Sequence, residues 1–248
     1  MIRVVNLHKR FGHQQVLKGV NLELATGKIT TIVGTSGSGK TVLLKHLNAL
    51  LAPDTGEVFV DNVNVSKLGQ RKLNEMRGRF GFLFQGAALL DSLTLFDNVA
   101  FPLREKTDST EPEIRKKVED RLDQVGLKGM GYKYPGELSG GMKKRCGLAR
   151  ALIMNPEIVL FDEPTTGLDP VLERGIHQLI ARTQKAFGFT GVVVSHAIPQ
   201  VFEISDYVAM LANGVIEESL PTEEFQKSQN PVVRQLIQGK TDGPIQML

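Results

Sequence analysis

A glycine-rich octapeptide near the start of the sequence has the residue types that bind phosphate. It consists of Gly34, Thr35, Ser36, Gly37, Ser38, Gly39, Lys40 and Thr41. This order fits the pattern G-x-x-x-x-G-K-[ST], whose glycines let successive backbone N–H groups turn toward phosphate oxygens. Lys40 is expected to reach the β- and γ-phosphates and Thr41 to ligate Mg²⁺. The alternative is a chance match, expected in roughly one chain in a hundred of this length.

Two acids follow an apolar run later in the chain. Residues 158–161 are Ile, Val, Leu and Phe, and Asp162 and Glu163 come directly after them. Ligands of parallel α/β sheets bind at the carboxyl ends of the strands. We therefore expect Asp162 to hold Mg²⁺ through water and Glu163 to act as general base, or to position water, for attack on a γ-phosphate. Alone, the pair fits a solvated strand end equally well, and the phosphate loop favours the catalytic interpretation.

Two further polar side chains follow apolar runs. His196 comes shortly after residues 191–194, and Gln85 follows residues 82–84. A lone histidine at a strand end is more often structural than catalytic, but this sheet edge is the one that faces the phosphates, which favours a γ-phosphate contact. The amide of Gln85 is placed to touch Mg²⁺ or the attacking water. From the pattern alone, that role and a structural one are equally well supported for Gln85.

The elements that must position these residues divide into an early β-rich part and a later mixed part. Strand-like runs occupy residues 3–6, 16–24 and 28–33, and residues 57–60 and 63–65 flank a tight turn at Asp61-Asn62. A helix is expected over residues 41–51. Residues 67–136 are mostly helical in pattern, with one apolar run at 79–84 and an amphipathic helix at 111–125.

The second half contains two apolar runs of the kind found in fully buried parallel strands, at residues 158–161 and 191–194. A hairpin is expected from residues 207–211 and 215–218, with its turn at Asn213-Gly214. Together these patterns predict one α/β core with a helical insertion, since no clean linker between domains is present.

The composition of the chain narrows the possible classes of protein. The chain has 248 residues, is 41% hydrophobic and carries a net charge of +3. Its single cysteine, Cys146, excludes an intrachain disulfide. No dense basic stripe of the kind that binds nucleic acid is present. Neither a signal peptide nor an apolar window long enough for a membrane span is found, so we expect a soluble protein whose role at any membrane is peripheral.

The segment Leu-Ser-Gly-Gly-Met at residues 138–142 identifies the class. It resembles the signature motif of ABC ATPases, usually LSGGQ. In that family Ser139 and Gly141 would face the γ-phosphate of ATP bound by a second copy, and Gly140 would belong to the same nucleotide site, so the resemblance implies a nucleotide-sandwich dimer. The alternative is an ordinary capping loop with Ser139 as N-cap. The position of the segment between Gln85 and Asp162, in the family's order, favours the signature.

The resemblance covers nearly the whole chain and implies further roles. Phe11 would stack on adenine, Gln85 would form the Q-loop and contact Mg²⁺, and Glu163 would be the catalytic glutamate. Asp169, in the D-loop, would cross the dimer interface, and His196 would be the H-loop histidine. The implied fold is an α/β P-loop NTPase core of ABC type with an N-terminal antiparallel β subdomain. One ABC ATPase domain would span residues 1–240, with its helical insertion at about 86–153, and residues 241–248 would form a short flexible tail.

Within the family, the chain looks most like the ATPases of Mla/Mce-type phospholipid transporters of Gram-negative bacteria. Three features carry this likeness: Met142 in place of the usual glutamine, residues 84–89 leading into residues 95–105, and residues 231–239. The resemblance implies membrane permease subunits, an Mce-type substrate-binding protein and a small STAS-type regulatory subunit as partners. It also implies a peripheral location on the cytoplasmic face of the inner membrane, with ATP and Mg²⁺ as cofactors and phospholipid as cargo.

Three rival functions fit less of the sequence. An ABC importer for a polar solute would use the same ATPase motifs. A soluble ABC ATPase of translation or DNA repair would need a second ATPase domain or long coiled coils, and neither pattern is present. A P-loop kinase would not explain residues 138–142. The basic cluster Lys143, Lys144 and Arg145 is expected to be a solvated helix face, and Cys146 a small buried core residue.

Overall fold

The computed structural model describes residues 1–245. Its strands are β1 (Ile2–Phe11), β2 (Gln14–Leu24), β3 (Ile29–Val33), β4 (Thr55–Val60), β5 (Val63–Asn64), β6 (Phe80–Leu83), β7 (Ile158–Asp162), β8 (Thr190–Val194), β9 (Tyr207–Ala212) and β10 (Val215–Pro221). Its α-helices are α1 (Lys40–Leu47), α2 (Gln70–Arg77), α3 (Leu95–Lys106), α4 (Glu111–Gln124), α5 (Gly140–Leu152), α6 (Pro170–Phe187), α7 (Thr222–Gln226) and α8 (Pro231–Gln238).

The chain forms two compact units. The first consists of Met1–Arg79 together with the chain from Thr190 onward, and the second is Phe80–Phe189. The insertion predicted at about residues 86–153 lies inside the second unit, which also includes β6, β7 and α6. The single ABC domain predicted over residues 1–240 remains a prediction.

The first unit contains an antiparallel sheet and a mainly parallel group of strands. The antiparallel sheet has the order β2-β1-β4-β5. In the other group β3 lies between β8 and β9 and is parallel to both, and β10 pairs with β9 in the antiparallel sense. All five residues of β3 and of β8 are buried. The predicted antiparallel N-terminal part and the buried strand at residues 191–194 are therefore confirmed.

Two tight turns join strands where the sequence predicts them. Asp61 and Asn62 have φ angles of 46° and 67°, and they connect β4 to β5. Asn213 and Gly214 have φ angles of 52° and 85°, and they connect β9 to β10. Positive φ at both central residues gives a turn whose twist matches that of the flanking strands, and Asn, Asp and Gly tolerate it best. Both predicted hairpins are confirmed.

The second unit is mostly helical and contains one pair of parallel strands. Strands β6 and β7 pair in register from Phe80 opposite Ile158 to Leu83 opposite Phe161. Every residue of β7 is buried, as the run of apolar residues predicts. The expected helix at residues 111–125 is α4, and at its start the Glu113 carboxylate accepts a hydrogen bond of 2.8 Å from the backbone N–H of Thr110.

The last described residues return to α8. The Gln235 side chain donates to the backbone oxygen of Ile245 at 3.0 Å and accepts from its N–H at 2.7 Å. Ile245 is buried. The flexible tail predicted at residues 241–248 therefore includes an anchored residue at position 245, and its last three positions lie outside the described residues.

Candidate functional site

In the first unit, the glycine-rich loop connects β3 to α1. Gly39 is the N-cap of α1 and has a φ of 99°, in the left-handed region. A Cβ added there would lie 2.8 Å from Cγ1 of Val16, and one added at Gly34 would collide with the backbone oxygen of Leu211. Only glycine satisfies both the backbone angles and the close packing, so the loop keeps a shape that larger residues would destroy.

The charge of this loop comes from Lys40. Its side chain is buried, and its ammonium donates hydrogen bonds of 2.9 Å to the backbone oxygens of Gly34 and Thr35. Ser38 Oγ is also buried and has no hydrogen-bond partner among the described residues. A buried hydroxyl without a partner is costly. The loop therefore contains a cation and a donor that suit an anion such as phosphate.

The start of α1 adds to this anion site. Its N-cap offers no side-chain hydrogen bond, and its first turn contains no acidic residue. The amides and the positive end of the helix dipole are thus not neutralised by the helix itself. Thr41 lies in this first turn and is half-buried, which fits a hydroxyl ligand for a cation bound with phosphate.

His196 belongs to the same unit and follows β8 by two residues. Because β3 and β8 are parallel neighbours, the phosphate loop and His196 come after strands that end at the same edge. The side chain of His196 is exposed. Phe11 ends β1 with 48% of its surface exposed, and the Lys9 ammonium lies 5.7 Å from the centre of its ring. An exposed ring beside a cation is suited to stacking on a flat aromatic ligand.

In the second unit, the acids predicted to be catalytic end β7. Asp162 is buried, with 6% of its surface exposed. Glu163 has a φ of 48°, unusual for a residue with a side chain, and its carboxylate accepts a hydrogen bond of 3.2 Å from the Thr166 hydroxyl. Left-handed backbone of this kind occurs at sites where the surrounding structure holds it in place.

Gln85 shares a sheet edge with these acids. It follows β6, which is parallel to β7, and its side chain is exposed. The second unit therefore brings together Gln85, Asp162 and Glu163, as the sequence predicts from parallel strand ends. Their roles toward a ligand stay predictions.

A buried lysine connects these two strand ends. Lys144, on α5, donates a hydrogen bond to the backbone oxygen of Gln85 and another, of 3.4 Å, to that of Glu163. Burial lowers the pKa of Lys144, and the nearby carboxylates of Glu163 and Asp162 oppose that shift.

The prediction that Lys144 belongs to a solvated face is wrong. The spacing of Lys144 from Gly141 and Leu148, three and four residues away, places all three on one helix face and could have revealed the burial.

The signature-like segment forms the start of α5. Ser139 is the N-cap, and its side chain accepts a hydrogen bond of 3.3 Å from the Met142 N–H. Ser139 therefore caps the helix, as the alternative interpretation predicts. This cap does not exclude a role in binding a ligand. The Leu172 side chain lies 3.7 Å from the position that a Cβ of Gly141 would occupy.

The next helix begins in a similar way. Asp169 is the N-cap of α6, and its carboxylate accepts hydrogen bonds of 3.0 Å from the N–H groups of Val171 and Leu172. The side chain of Asp169 is exposed, as are those of Val171 and Leu172. Two exposed apolar residues beside a capped helix start form a surface on which another protein chain can pack.

Two kinds of feature are absent from residues 1–245. No helix in this range has the length and apolar character that crossing a membrane requires. Nowhere in the same range do three or more His, Cys, Asp or Glu side chains gather where they could hold a metal ion. The Mg²⁺ ligands predicted from the sequence are one hydroxyl, one amide and one carboxylate, so they form a different kind of set.

Comparison with known proteins gives consistent matches. The ABC transporter family model matches residues 17–166. The chain is 42% identical over 245 residues to the intermembrane phospholipid transport system ATP-binding protein MlaF of Haemophilus influenzae, covering 99% of this chain and 93% of that protein. It is also 42% identical over 246 residues to the probable ribonucleotide transport ATP-binding protein mkl of Mycobacterium leprae, covering 99% of this chain and 71% of the relative.

Solved structures agree with these matches. One is an ATP-binding cassette in a dimeric, post-hydrolysis state bound to ADP and Pi, with a TM-score of 0.81 and 33% identity, covering 90% of this chain and 99% of that one. A dimeric bacterial ABC transporter cassette has a TM-score of 0.82 and 34% identity over the same shares of the two chains. The family match over more than half of the chain, with relatives and structures that cover nearly all of it, shows that this protein belongs to the ABC transporter family.

Proposed function

We propose that this protein is the ATP-hydrolysing subunit of an ABC transporter that moves phospholipids between membranes. The phosphate loop with its buried Lys40, which leaves the start of α1 open to an anion, is the observation that carries the ATPase assignment. Phospholipid as cargo is supported by the 42% identity, over 99% of the chain, to a phospholipid transport ATPase.

The phosphate loop would bind the triphosphate. Residues 34–41 would donate their backbone N–H groups to phosphate oxygens, and the Lys40 ammonium would exchange its carbonyl partners for the β- and γ-phosphates. Thr41, Gln85 and Asp162 would hold Mg²⁺, which neutralises charge on the phosphates when it is bound. Their hydroxyl, amide and carboxylate oxygens are the ligands that this hard cation prefers.

Glu163 would carry out the proton chemistry. Its carboxylate would orient the attacking water and accept a proton from it, and His196 would contact the γ-phosphate. Phe11 would stack on the adenine ring, using its exposed face. In the present structure the Glu163 carboxylate lies against the Thr166 hydroxyl, so it would leave that partner when a nucleophilic water is bound.

The second half of the site would come from another copy of this chain. Ser139, Gly140 and Gly141 would approach the γ-phosphate held by the partner, and Asp169 would lie at the interface between the copies. The exposed Val171 and Leu172 beside Asp169 support this arrangement, as does the dimeric state of the two solved cassettes. Nucleotide state would then set whether the dimer is closed or open.

The remaining partners follow from the phospholipid assignment. The ATPase would sit on the cytoplasmic face of the inner membrane as a peripheral subunit, below membrane permease subunits. An Mce-type substrate-binding protein and a small STAS-type regulatory subunit would complete the assembly. This subunit supplies ATP hydrolysis and need not touch the cargo.

A second candidate cargo is a polar solute. It is favoured by one observation, the 42% identity to a protein of Mycobacterium leprae named as a probable ribonucleotide transport ATPase. The ATPase machinery is compatible with both cargoes because a subunit that supplies ATP hydrolysis need not bind either of them.

Both parts of the proposal are tested with Glu163→Gln, which should bind ATP but turn over slowly. The tagged variant is isolated with ATP from detergent-solubilised membranes of its native host, and bound proteins and lipids are identified by mass spectrometry. Recovery of a permease with an Mce-type protein and enriched phospholipid supports the phospholipid cargo. A solute permease without lipid enrichment would leave the ATPase standing and replace the cargo, and recovery of no membrane protein would contradict the transporter assignment.

A further inference from the structure

Lys144 lies where a cation is costly unless it has partners. It is the fifth residue of α5, and only 6% of its surface is exposed. Its ammonium donates to the backbone oxygens of Gln85 and Glu163. A buried charge of this kind is tolerated when several acceptors surround it, so the two carbonyls account for its position.

The two carbonyls belong to the residues that follow β6 and β7. Both lie just beyond the residues that pair between β6 and β7, which end at Leu83 and Phe161. Glu163 also has a positive φ of 48°. The ammonium therefore gives a common hydrogen-bond partner to the two segments that follow these neighbouring strands.

Lys144 can hold these segments because α5 itself is firmly attached. A Cβ added to Gly147 would lie 2.8 Å from Cδ1 of Leu83 and 3.1 Å from Cβ of Ala87, so the helix packs directly on β6 and the loop after it. The Arg150 guanidinium donates hydrogen bonds of 2.7 Å to the backbone oxygens of Ala87 and Ala88. Side chains of α5 thus donate hydrogen bonds to three backbone oxygens in the segment from Gln85 to Ala88.

We propose that Lys144 is a positioning residue for ATP hydrolysis, because its ammonium holds the backbones of Gln85 and Glu163 in the arrangement that presents their side chains to water and Mg²⁺. This inference rests on the proposed roles of those two residues. The proposed role of Lys144 acts through Gln85 and Glu163, and it does not involve the phosphate loop. Its loss should lower kcat and leave ATP affinity unchanged.

Three variants of the full chain test this role. Lys144→Met has a side chain of similar length without donors, and Lys144→Gln keeps a neutral donor. Arg145→Met is the matched control, since Arg145 is the next residue of α5 and its guanidinium donates at 3.0 Å to the backbone oxygen of Val125, at the end of α4. Steady-state hydrolysis of Mg-ATP gives kcat and KM, and titration with a non-hydrolysable ATP analogue gives Kd.

For Lys144→Met we expect kcat to fall about 10-fold to 100-fold, the range for losing hydrogen bonds from a charged donor, with KM and Kd within about twofold of the wild type. Arg145→Met should keep kcat within about threefold. If Lys144→Met does not fold, as judged by thermal unfolding, Lys144→Leu, which also has no donor, is used in its place, and Lys144→Gln should lose less kcat than either. An unchanged kcat, an equal loss in Arg145→Met, or a parallel rise in Kd would each overturn the positioning role.

Glu163→Gln, measured beside these variants, separates the two proposals. If Glu163→Gln is inactive while Lys144→Met or its substitute turns over at the wild-type rate, the ATPase assignment stands and the positioning role is wrong. If the wild type hydrolyses no ATP, or Glu163→Gln hydrolyses it normally, the proposed function fails and the positioning role fails with it.

Discussion

The protein contains two helices that begin in glycine-rich segments, and the two beginnings are built differently. Gly39, before α1, contributes no side chain, and no acidic residue follows in the first turn. Ser139, before α5, turns its hydroxyl back to accept from the Met142 N–H. The start of α1 is therefore left open for an external anion, whereas the start of α5 is partly satisfied by its own cap.

The two helices also differ in what their lysines do. Lys40, in the first turn of α1, is folded back on the carbonyls of its own loop. Lys144, one turn into α5, reaches two segments far away in sequence. The first arrangement suits a loop that binds a ligand within one chain. The second suits a helix that organises its neighbours, and its capped start remains stable until a second copy brings a nucleotide to it, as we propose.

The largest expected effect separates binding from turnover. Glu163→Gln keeps the size of the side chain but removes its basicity, so kcat should fall about 10²-fold to 10⁴-fold while ATP affinity is retained. Phosphate release measures kcat, and size-exclusion chromatography with ATP should show a dimer that persists. Normal turnover would show that Glu163 is not the catalytic base. The variant would then also not be expected to accumulate an ATP-bound dimer.

The next effect tests the open start of α1. Lys40→Ala removes the cation of the phosphate loop, so the Kd for ATP should rise about 100-fold or more, because charge-assisted hydrogen bonds to phosphate are lost. Equilibrium binding of a fluorescent ATP analogue measures it. Lys45→Ala, an exposed lysine on the same helix, is the control and should bind as the wild type does. Equal affinities for the Lys40 variant and the wild type would argue against the phosphate-loop assignment.

A smaller effect tests the capped start of α5. Ser139→Ala removes the hydroxyl that accepts from Met142 N–H, and it should lower the free energy of unfolding by about 1 kcal/mol. Ser139→Asp keeps an acceptor at the N-cap and should recover most of that loss. Urea unfolding of the nucleotide-free protein measures both. If Ser139→Ala unfolds at the wild-type midpoint, the cap contributes little and the two helix starts differ less than their geometry indicates.

The smallest expected effect is the reactivity of Cys146, which tests whether the middle of α5 stays closed in the native protein. Burial raises the pKa of the Cys146 thiol to about 12, so at pH 8 it stays protonated and enclosed. We expect a thiol reagent to label it only after unfolding, with or without ATP, because the thiolate is the reactive form. Labelling followed by mass spectrometry in native buffer and in urea measures this. Fast labelling of the native protein would show that α5 opens, and that it is too mobile to hold two loops.

Much of the fold was predictable because the signals are local. The buried strands β7 and β8 follow from continuous apolar runs, and the two hairpin turns follow from residues that tolerate positive φ. The start of α6 also has a local signal, since Asp169 as N-cap and Pro170 as first residue form a typical helix start. No helix is nevertheless predicted there from the sequence. The end of α1 at Leu47, short of the predicted residue 51, shows that helix boundaries are less well specified than helices.

By itself, the sequence determined the chemistry of this protein, because a phosphate loop, paired acids and a signature-like segment depend on residue type and short spacing. It also indicated which polar residues share a strand edge, since parallel strands end together. Only the tertiary structure decided which carbonyls Lys144 holds, that the Glu163 carboxylate lies against Thr166, and that Gln235 anchors Ile245. These contacts join distant segments, and their geometry depends on how whole elements pack, which no local pattern records.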